Sequence, residues 1–188
     1  MKYFTADLHL NHKAILAAGK GRPFNTLEEM QEVIISKWNR KVASGDDVYV
    51  LGDMFWGLKD YQIRSIMDRL HGKKHLIIGN HDQLNHNINS NRWAEIVESK
   101  ILEMHNTAVI LTHHPQMEWD HYYYDSYHLY GHVHGTLNLA RYTMLRPHKN
   151  MNCWDVGVDN NNFEPVSFEE IKVKIKENIE RLKNGKDI

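Results

Sequence analysis

Five short patterns along the chain carry side chains suited to metal chemistry: Asp7-Leu8-His9, Gly52-Asp53, Gly79-Asn80-His81-Asp82, His113-His114 and Gly131-His132-Val133-His134. Histidine is the commonest protein metal ligand, and the chain has 14 of them. Asp-x-His and His-x-His place two donors at i and i+2, which in an extended segment point the same way and can reach one point. Asp7, His9, Asp53, Asn80, His113, His132 and His134 together offer nitrogen and oxygen donors with no thiolate. Such a set suits Mn²⁺, Fe or Zn²⁺ rather than a Cys-rich structural zinc site. Seven donors are too many for one ion. With a shared carboxylate they suit two ions about 3.5–4 Å apart, the arrangement that two-metal hydrolases use to clamp a phosphate and activate water.

These patterns must be delivered by something. Six apolar runs read as buried strands: 2–7, 47–53, 74–82, 108–114, 127–135 and 153–159, rich in β-branched and aromatic residues. Each breaks into Asp, His, Asn or Gly at its C-terminal end, and five of those breaks are the five patterns. Between the runs, Thr26 and Glu29 form a capping-box pattern ahead of a helix whose Leu27, Met30, Ile34 and Trp38 share a face. A second helix is expected over 59–70. A C-terminal helix opens at Ser167 with Glu170 three residues on and closes at Gly185. The stretches 85–92 and 113–128 read as irregular. Alternating strands and helices predict an α/β domain, in which ligands gather beyond the carboxyl ends of the strands. Taken singly, Gly52-Asp53 and Gly79-Asn80-His81-Asp82 are also turn sequences, Asp7 is also a candidate helix cap, and His132 and His134 also suit a solvated loop. A metal site accounts for all five placements together.

Length and composition bound the rest. The 188 residues fit a single domain, 1–188, and 41% hydrophobic content supports a real core. Net charge is −1, so no global basic field points to nucleic acid, and no obligate nucleic-acid partner is expected. The single cysteine, Cys153, excludes an intramolecular disulfide framework and fits a reducing compartment. No stretch approaches the roughly 18 apolar residues of a membrane span, and "MKYFTADLHLNH" lacks a signal-peptide apolar region. The expectation is a cytoplasmic protein with no membrane partner.

In order and combination, Asp7-Leu8-His9, Gly52-Asp53, Gly79-Asn80-His81-Asp82, His113-His114-Pro115 and Gly131-His132-Val133-His134 resemble the five blocks of the calcineurin-like metallophosphoesterase superfamily, over residues 7–134. The resemblance implies a four-layer αββα sandwich, two mixed β-sheets face to face with helices outside. It implies a first ion held by Asp7, His9 and His134, a second held by Asn80, His113 and His132, and Asp53 bridging the two. Asn80 then looks like an amide-oxygen ligand that adds no charge. His81 resembles the family's catalytic histidine beside the leaving-group oxygen. The implied activity is phosphoester hydrolysis by attack of a metal-bridging hydroxide on phosphorus, with Mn²⁺ favoured among Mn²⁺, Fe, Zn²⁺, Ni²⁺ and Co²⁺.

Departures from relatives narrow the substrate. Protein Ser/Thr phosphatases of this superfamily carry Asp-Arg-Gly shortly after the bridging aspartate; here Trp56 and Gly57 stand in that stretch. Repair nucleases of the superfamily add a DNA-capping domain for which this length leaves little room. The chain is similar to small bacterial and phage-type members, which implies a phosphodiesterase on nucleotides or other small diesters. The alternatives are a phosphomonoesterase or nuclease using the same site, and a non-catalytic metal-binding scaffold. Candidate substrate contacts are Arg22, whose guanidinium suits phosphate, Asp82, which could instead orient His81 or a loop, and the aromatic residues. Phe55, Trp56, Trp119, Tyr122, Tyr123, Tyr124 and Tyr127 cluster near the blocks, and rings beside such a site can stack a nucleobase. Trp119 and Tyr123 are the foremost of these.

Overall fold

The structure is a computed structural model that describes residues 1–17, 22–84, 91–145 and 150–185. Residues 85–90, within the stretch read as irregular, lie outside the described residues. Two mixed sheets form the centre. The first contains β1 (Lys2–Thr5), β2 (Asp47–Leu51), β3 (Lys73–Ile77), β4 (Glu95–Val97) and β9 (Val166–Ser167) in the order β4-β3-β2-β1-β9. Its strands pair parallel, except β9, which runs antiparallel to β1. The second contains β5 (Ser99–Met104), β6 (Thr107–Thr112), β7 (Tyr127–Tyr130) and β8 (Cys153–Asp155) in that order. There β5 and β6 form an antiparallel pair and β6, β7 and β8 run parallel.

Period-two alternation sorts the side chains between layers. In β2, Val48 and Val50 face α1 (Leu27–Lys41) and α2 (Asp60–Arg69), packing with Met30, Ile34, Trp38, Ile63 and Met67. Leu51 faces the other way, and with Phe4 and Ile77 it meets Val109, Leu111 and Leu129 of the second sheet. Ile171 and Ile175 of α5 (Phe168–Lys183) join that inter-sheet core. On the outer side of the second sheet, Ile110, Tyr130 and Cys153 pack with Trp119, Tyr122 and α4 (Leu139–Thr143). The chain is therefore two mixed sheets flanked by helices.

Local chemistry sets the helix ends. Ser167 and Glu170 cap α5 reciprocally, with Ser167 N–H donating to Glu170 at 2.7 Å and Glu170 N–H to Ser167 Oγ at 3.3 Å. At α1 the box is shifted by one: Thr26 Oγ1 accepts from Glu29 N–H, but the Glu29 carboxylate accepts from Asn25 N–H at 2.8 Å. Gly185 follows α5 at φ +66°, a left-handed conformation that suits glycine. Strands β4 and β5, in "EIVESKILEM", were not among the expected runs. Their alternation of apolar and charged residues, short and partly exposed, is a weak signal. Conversely, the run expected over 74–82 stops at Ile77, and Asn80–Leu84 forms the short helix α3. No helix among the described residues is long and apolar enough to cross a membrane.

Candidate metal centre

The ends of β1, β2 and β3 from one sheet and of β6 and β7 from the other converge. Past β1 the chain keeps pairing with the segment past β2: Asp7 N–H donates to Gly52 O at 3.0 Å and His9 N–H to Asp53 O at 2.9 Å. Past the second sheet Gly131 N–H donates to His113 O at 2.9 Å, and across the sandwich His132 N–H donates to Asp7 Oδ2 at 2.8 Å. The i, i+2 pairs do not converge by extended geometry, as the spacing had suggested. Asp7, His9, Asp53, His132 and His134 all sit at φ between +49° and +71°, left-handed backbone that costs a non-glycine residue about 1–3 kcal/mol and concentrates at functional sites. Alternating left-handed residues curl each loop so that both donors turn inward.

Glycine makes room for this. At Gly131 a Cβ would lie 2.7 Å from Asp7 Oδ2, and at Gly79 one would lie 2.7 Å from the Asp53 backbone nitrogen. Any side chain there would displace a carboxylate-bearing loop.

Asp7, His9 and His134 each place a donor atom within 4.8 Å of the others, and so do Asp7, Asp53 and His113. Asn80 Oδ1 lies 2.9 Å from His113 Nε2 and 3.0 Å from His132 Nδ1. Asp53 Oδ2 stands between the two groups, 3.7 Å from His9 Nε2 and 3.5 Å from His113 Nε2. Asp7 Oδ1 and His9 Nε2 are buried and have no hydrogen-bond partner, a costly state for polar atoms unless something else binds them. At three of the four histidines the other nitrogen is occupied. His113 Nδ1 donates to Leu51 O at 2.7 Å, and His134 Nδ1 to Asp159 Oδ2 at 2.7 Å. His9 Nδ1 lies 3.2 Å from His12 Nδ1. Ligand histidines are held in this way, by one nitrogen, so that the other presents its lone pair. The donors therefore fit divalent cations.

Charge tells the same story. Burial pushes the Asp7 carboxyl up to about 8 and the His9 imidazole down to about 3. His113 is buried, which would lower it, yet its bond to Asp53 and the charges of Asp7 and Asp53 lift it to about 9. Burial likewise opposes ionisation of Asp53, which the His113 bond and charge hold down to about 2. Without cations Asp7 keeps its own proton near neutral pH, and the charge of Asp53 is met by a proton on His113. That is a centre calling for positive charge.

His81 flanks the cluster. Its N–H donates to Asp53 Oδ1 at 2.9 Å, its Nε2 lies 3.9 Å from Asp53 Oδ2, and its side chain is 29% exposed. His114 is exposed, its ring 4.3 Å from that of His132.

The expected substrate contacts fare differently. Arg22 is buried, and its donors go to Asp159 through Nε (2.8 Å) and Nη2 (2.9 Å), to the Asp7 and Leu8 carbonyls and to Met30 Sδ. That leaves no fork for phosphate, so Arg22 is a brace between loops. Asp82 is buried too, accepting from the N–H groups of Asp53, Gly79 and Met54, and so fixes the loops rather than meeting substrate. Trp119 is 5% exposed, stacked on His128 and donating to Ser126 Oγ, and cannot receive a base. Tyr122 and Phe55 are buried as well. Tyr123 is 58% exposed with its hydroxyl on Glu118. Missed from the sequence were Asp159, His12 and Asp155, whose carboxylate accepts from Gly135 and Gly157 N–H. A Gly-x-Asp after β8 and a histidine three residues beyond His9 were the available signals.

No family model matches the chain. Over 169 residues it is 30% identical to the uncharacterized protein MJ1445 of Methanocaldococcus jannaschii, covering 89% of this chain and 86% of that protein. The chain belongs to the family of MJ1445. It is also 36% identical over 83 residues to the Gene 66 protein of Mycobacterium phage L5, a match spanning 43% of this chain and 39% of the phage protein. Among solved structures it is similar to the protein of unknown function AQ665 from Aquifex aeolicus, with a TM-score of 0.70 and 25% identity. That likeness covers 92% of this chain and 97% of AQ665.

Proposed function

We propose that this protein is a calcineurin-like metallophosphoesterase, a dimetal-dependent phosphoester hydrolase acting as a phosphodiesterase on nucleotides or other small diesters. The observation that carries this reading is the convergence of seven donors from two sheets, with Asp53 Oδ2 between the two halves and Asp7 Oδ1 and His9 Nε2 buried without partners. The order of the five blocks and the two helix-flanked mixed sheets agree with it. Asp7, His9 and His134 would hold one ion, Asn80, His113 and His132 the other, and Asp53 both. Bound there, two divalent ions supply charge to neutralise phosphoryl oxygens and to lower the pKa of water.

The chain's own groups do the rest. Leu51 O and Asp159 keep the Nδ1 protons of His113 and His134 turned away from the centre, so each Nε2 offers its lone pair. Asp82 holds the Asp53 and Gly79 loops in register. His81, fixed through its backbone to Asp53 and partly exposed, stands where its imidazole can deliver a proton to a leaving oxygen. The test is a panel of metal-reconstituted protein, Mn²⁺ first, against bis-aryl phosphate, aryl monophosphate, 2′,3′- and 3′,5′-cyclic nucleotides and single-stranded DNA. Diester turnover that disappears with chelator supports the reading; a protein that binds two ions and turns over none of these overturns it. In Asp53→Asn, metal stoichiometry is expected to fall below two and turnover nearly to vanish.

A further inference from the structure

With Trp119 buried, the aromatic surface beside the centre is Trp56. Its ring is part-exposed and lies against His12, centroids 4.1 Å apart and planes 13° from parallel. His81 meets it edge to face at 4.9 Å and 70°, while His12 and His81 stand 6.0 Å apart. These three separations make a near-right angle at Trp56, so His12 backs one face of the indole and His81 stands off its rim. Neither imidazole covers the opposite face. The indole is also fixed in place. His12 is tied to His9 at 3.2 Å, and the Trp56 backbone is held at both ends, its N–H donating to Leu10 O at 2.9 Å and its carbonyl accepting from Asn11 Nδ2 at 3.0 Å. A flat ring braced from behind loses little freedom on binding, the condition under which an aromatic contact contributes most to affinity.

Asn11, whose side chain bonds the Trp56 carbonyl, also lines a surface groove of about 360 Å³ with Glu28, Gln31, Leu58, Tyr61 and Gln62. The groove lies between the first turns of α1 and α2, which follow β1 and β2 in parallel crossovers and so begin at the same sheet end as the metal centre. Its amides, the Tyr61 hydroxyl and the Glu28 carboxylate offer hydrogen bonds without a cationic side chain, which suits the donor-bearing edge of a heterocycle and disfavours a second phosphate.

We infer that the face of Trp56 turned away from His12 is a stacking subsite for the planar heteroaromatic base carried by a nucleoside leaving group, placing the base of a nucleotide ester beside His81. This inference rests on the phosphoesterase reading for the position of the phosphate and adds the class of group attached to it. Its test is calorimetric titration of Zn²⁺-loaded protein with two non-hydrolysable probes, the methylenephosphonate analogue of AMP and its abasic ribose counterpart. The AMP analogue is expected to bind wild type more tightly. Trp56→Leu should lose about fivefold or more of that affinity, the low end of base stacking on an aromatic side chain, and Trp56→Phe should keep most of it. The abasic analogue should bind all three proteins alike. Equal affinity of wild type for the two probes, an equal loss for both in Trp56→Leu, or binding of neither would overturn the subsite. Bis-aryl phosphate turnover measured on the same preparations separates the two claims: absent turnover with the AMP preference intact removes the hydrolase and leaves the subsite, whereas turnover without the preference removes the subsite alone.

Discussion

At the scale of single residues, Asp159 ties together loops from the two sheets. One carboxylate accepts from His134 Nδ1 and takes a two-point contact from Arg22, which in turn holds the carbonyls of Asp7 and Leu8. Asp7 and His134, both assigned to the first ion, thus share one buried brace. Replacing such a partner of a ligand histidine typically lowers metal affinity 10–100-fold. Asp159→Asn is therefore expected to weaken the first ion by about that factor and to spare the second, in a stepwise Mn²⁺ or Zn²⁺ titration; equal weakening of both ions would reduce Asp159 to a general structural role. His81→Ala should act differently, since His81 is assigned to no ion. Both ions should remain bound, and hydrolysis of esters with poor leaving groups should slow far more than that of esters with good ones, about 10²–10⁴-fold at most. An equal effect on both kinds of ester would remove the proton-donor role. The donor residues were legible because each lies within a short pattern whose spacing is itself chemical. Arg22 and Trp119 were misread for a physical reason: one letter gives a side chain's chemistry but not its burial, and burial decides whether a guanidinium or an indole meets a ligand or its own fold.

At the scale of elements, the apolar runs located β1, β2, β3, β6, β7 and β8 because buried parallel strands are written as continuous β-branched and aromatic stretches. Their ends were less legible. The strands end at Ile77, where Gly79 and the Asp82 carboxylate lead into α3, and at Tyr130, where Gly131 leads into the left-handed turn that carries His132 and His134. Dihedral signs of this kind leave little trace in sequence, because aspartate and histidine, though enriched among left-handed residues, adopt that conformation in only a small minority of their occurrences. The edge strands β4 and β5 escaped because half-exposed strands mix charge with apolar residues. The turn after β7 supplies its own test. A methyl group at residue 131 would press on Ala6 Cβ and on Asp7 Oδ2, so Gly131→Ala must push apart the loops that bring the first ion's ligands together. The expected outcome is loss of most first-ion affinity with the far-ultraviolet circular dichroism unchanged; an unchanged metal titration would show that the loops yield without cost.

At the scale of the whole molecule, the site is a joint between the two sheets. Asp7, His9, Asp53 and Asn80 follow strands of the first sheet, and His113, His132 and His134 follow strands of the second. Without cations the joint is held partly by a proton on His113, and Asp7 is kept from ionising by burial. Two divalent ions would relieve both conditions and link the sheets at the end where the loops are most strained. A ligand present at 100 times its dissociation constant stabilises the folded state by about 2.7 kcal/mol, and in a domain of this size each kcal/mol shifts the melting temperature by about 2–4 °C. Removing the metal with a chelator is therefore expected to lower the melting temperature by roughly 5–10 °C, with recovery on adding back Mn²⁺. Asp53→Asn should start lower and respond less to chelator, because the group shared by both ions is gone. A wild-type melting temperature indifferent to chelator, in protein shown to carry metal beforehand, would mean that the ions do not join the sheets.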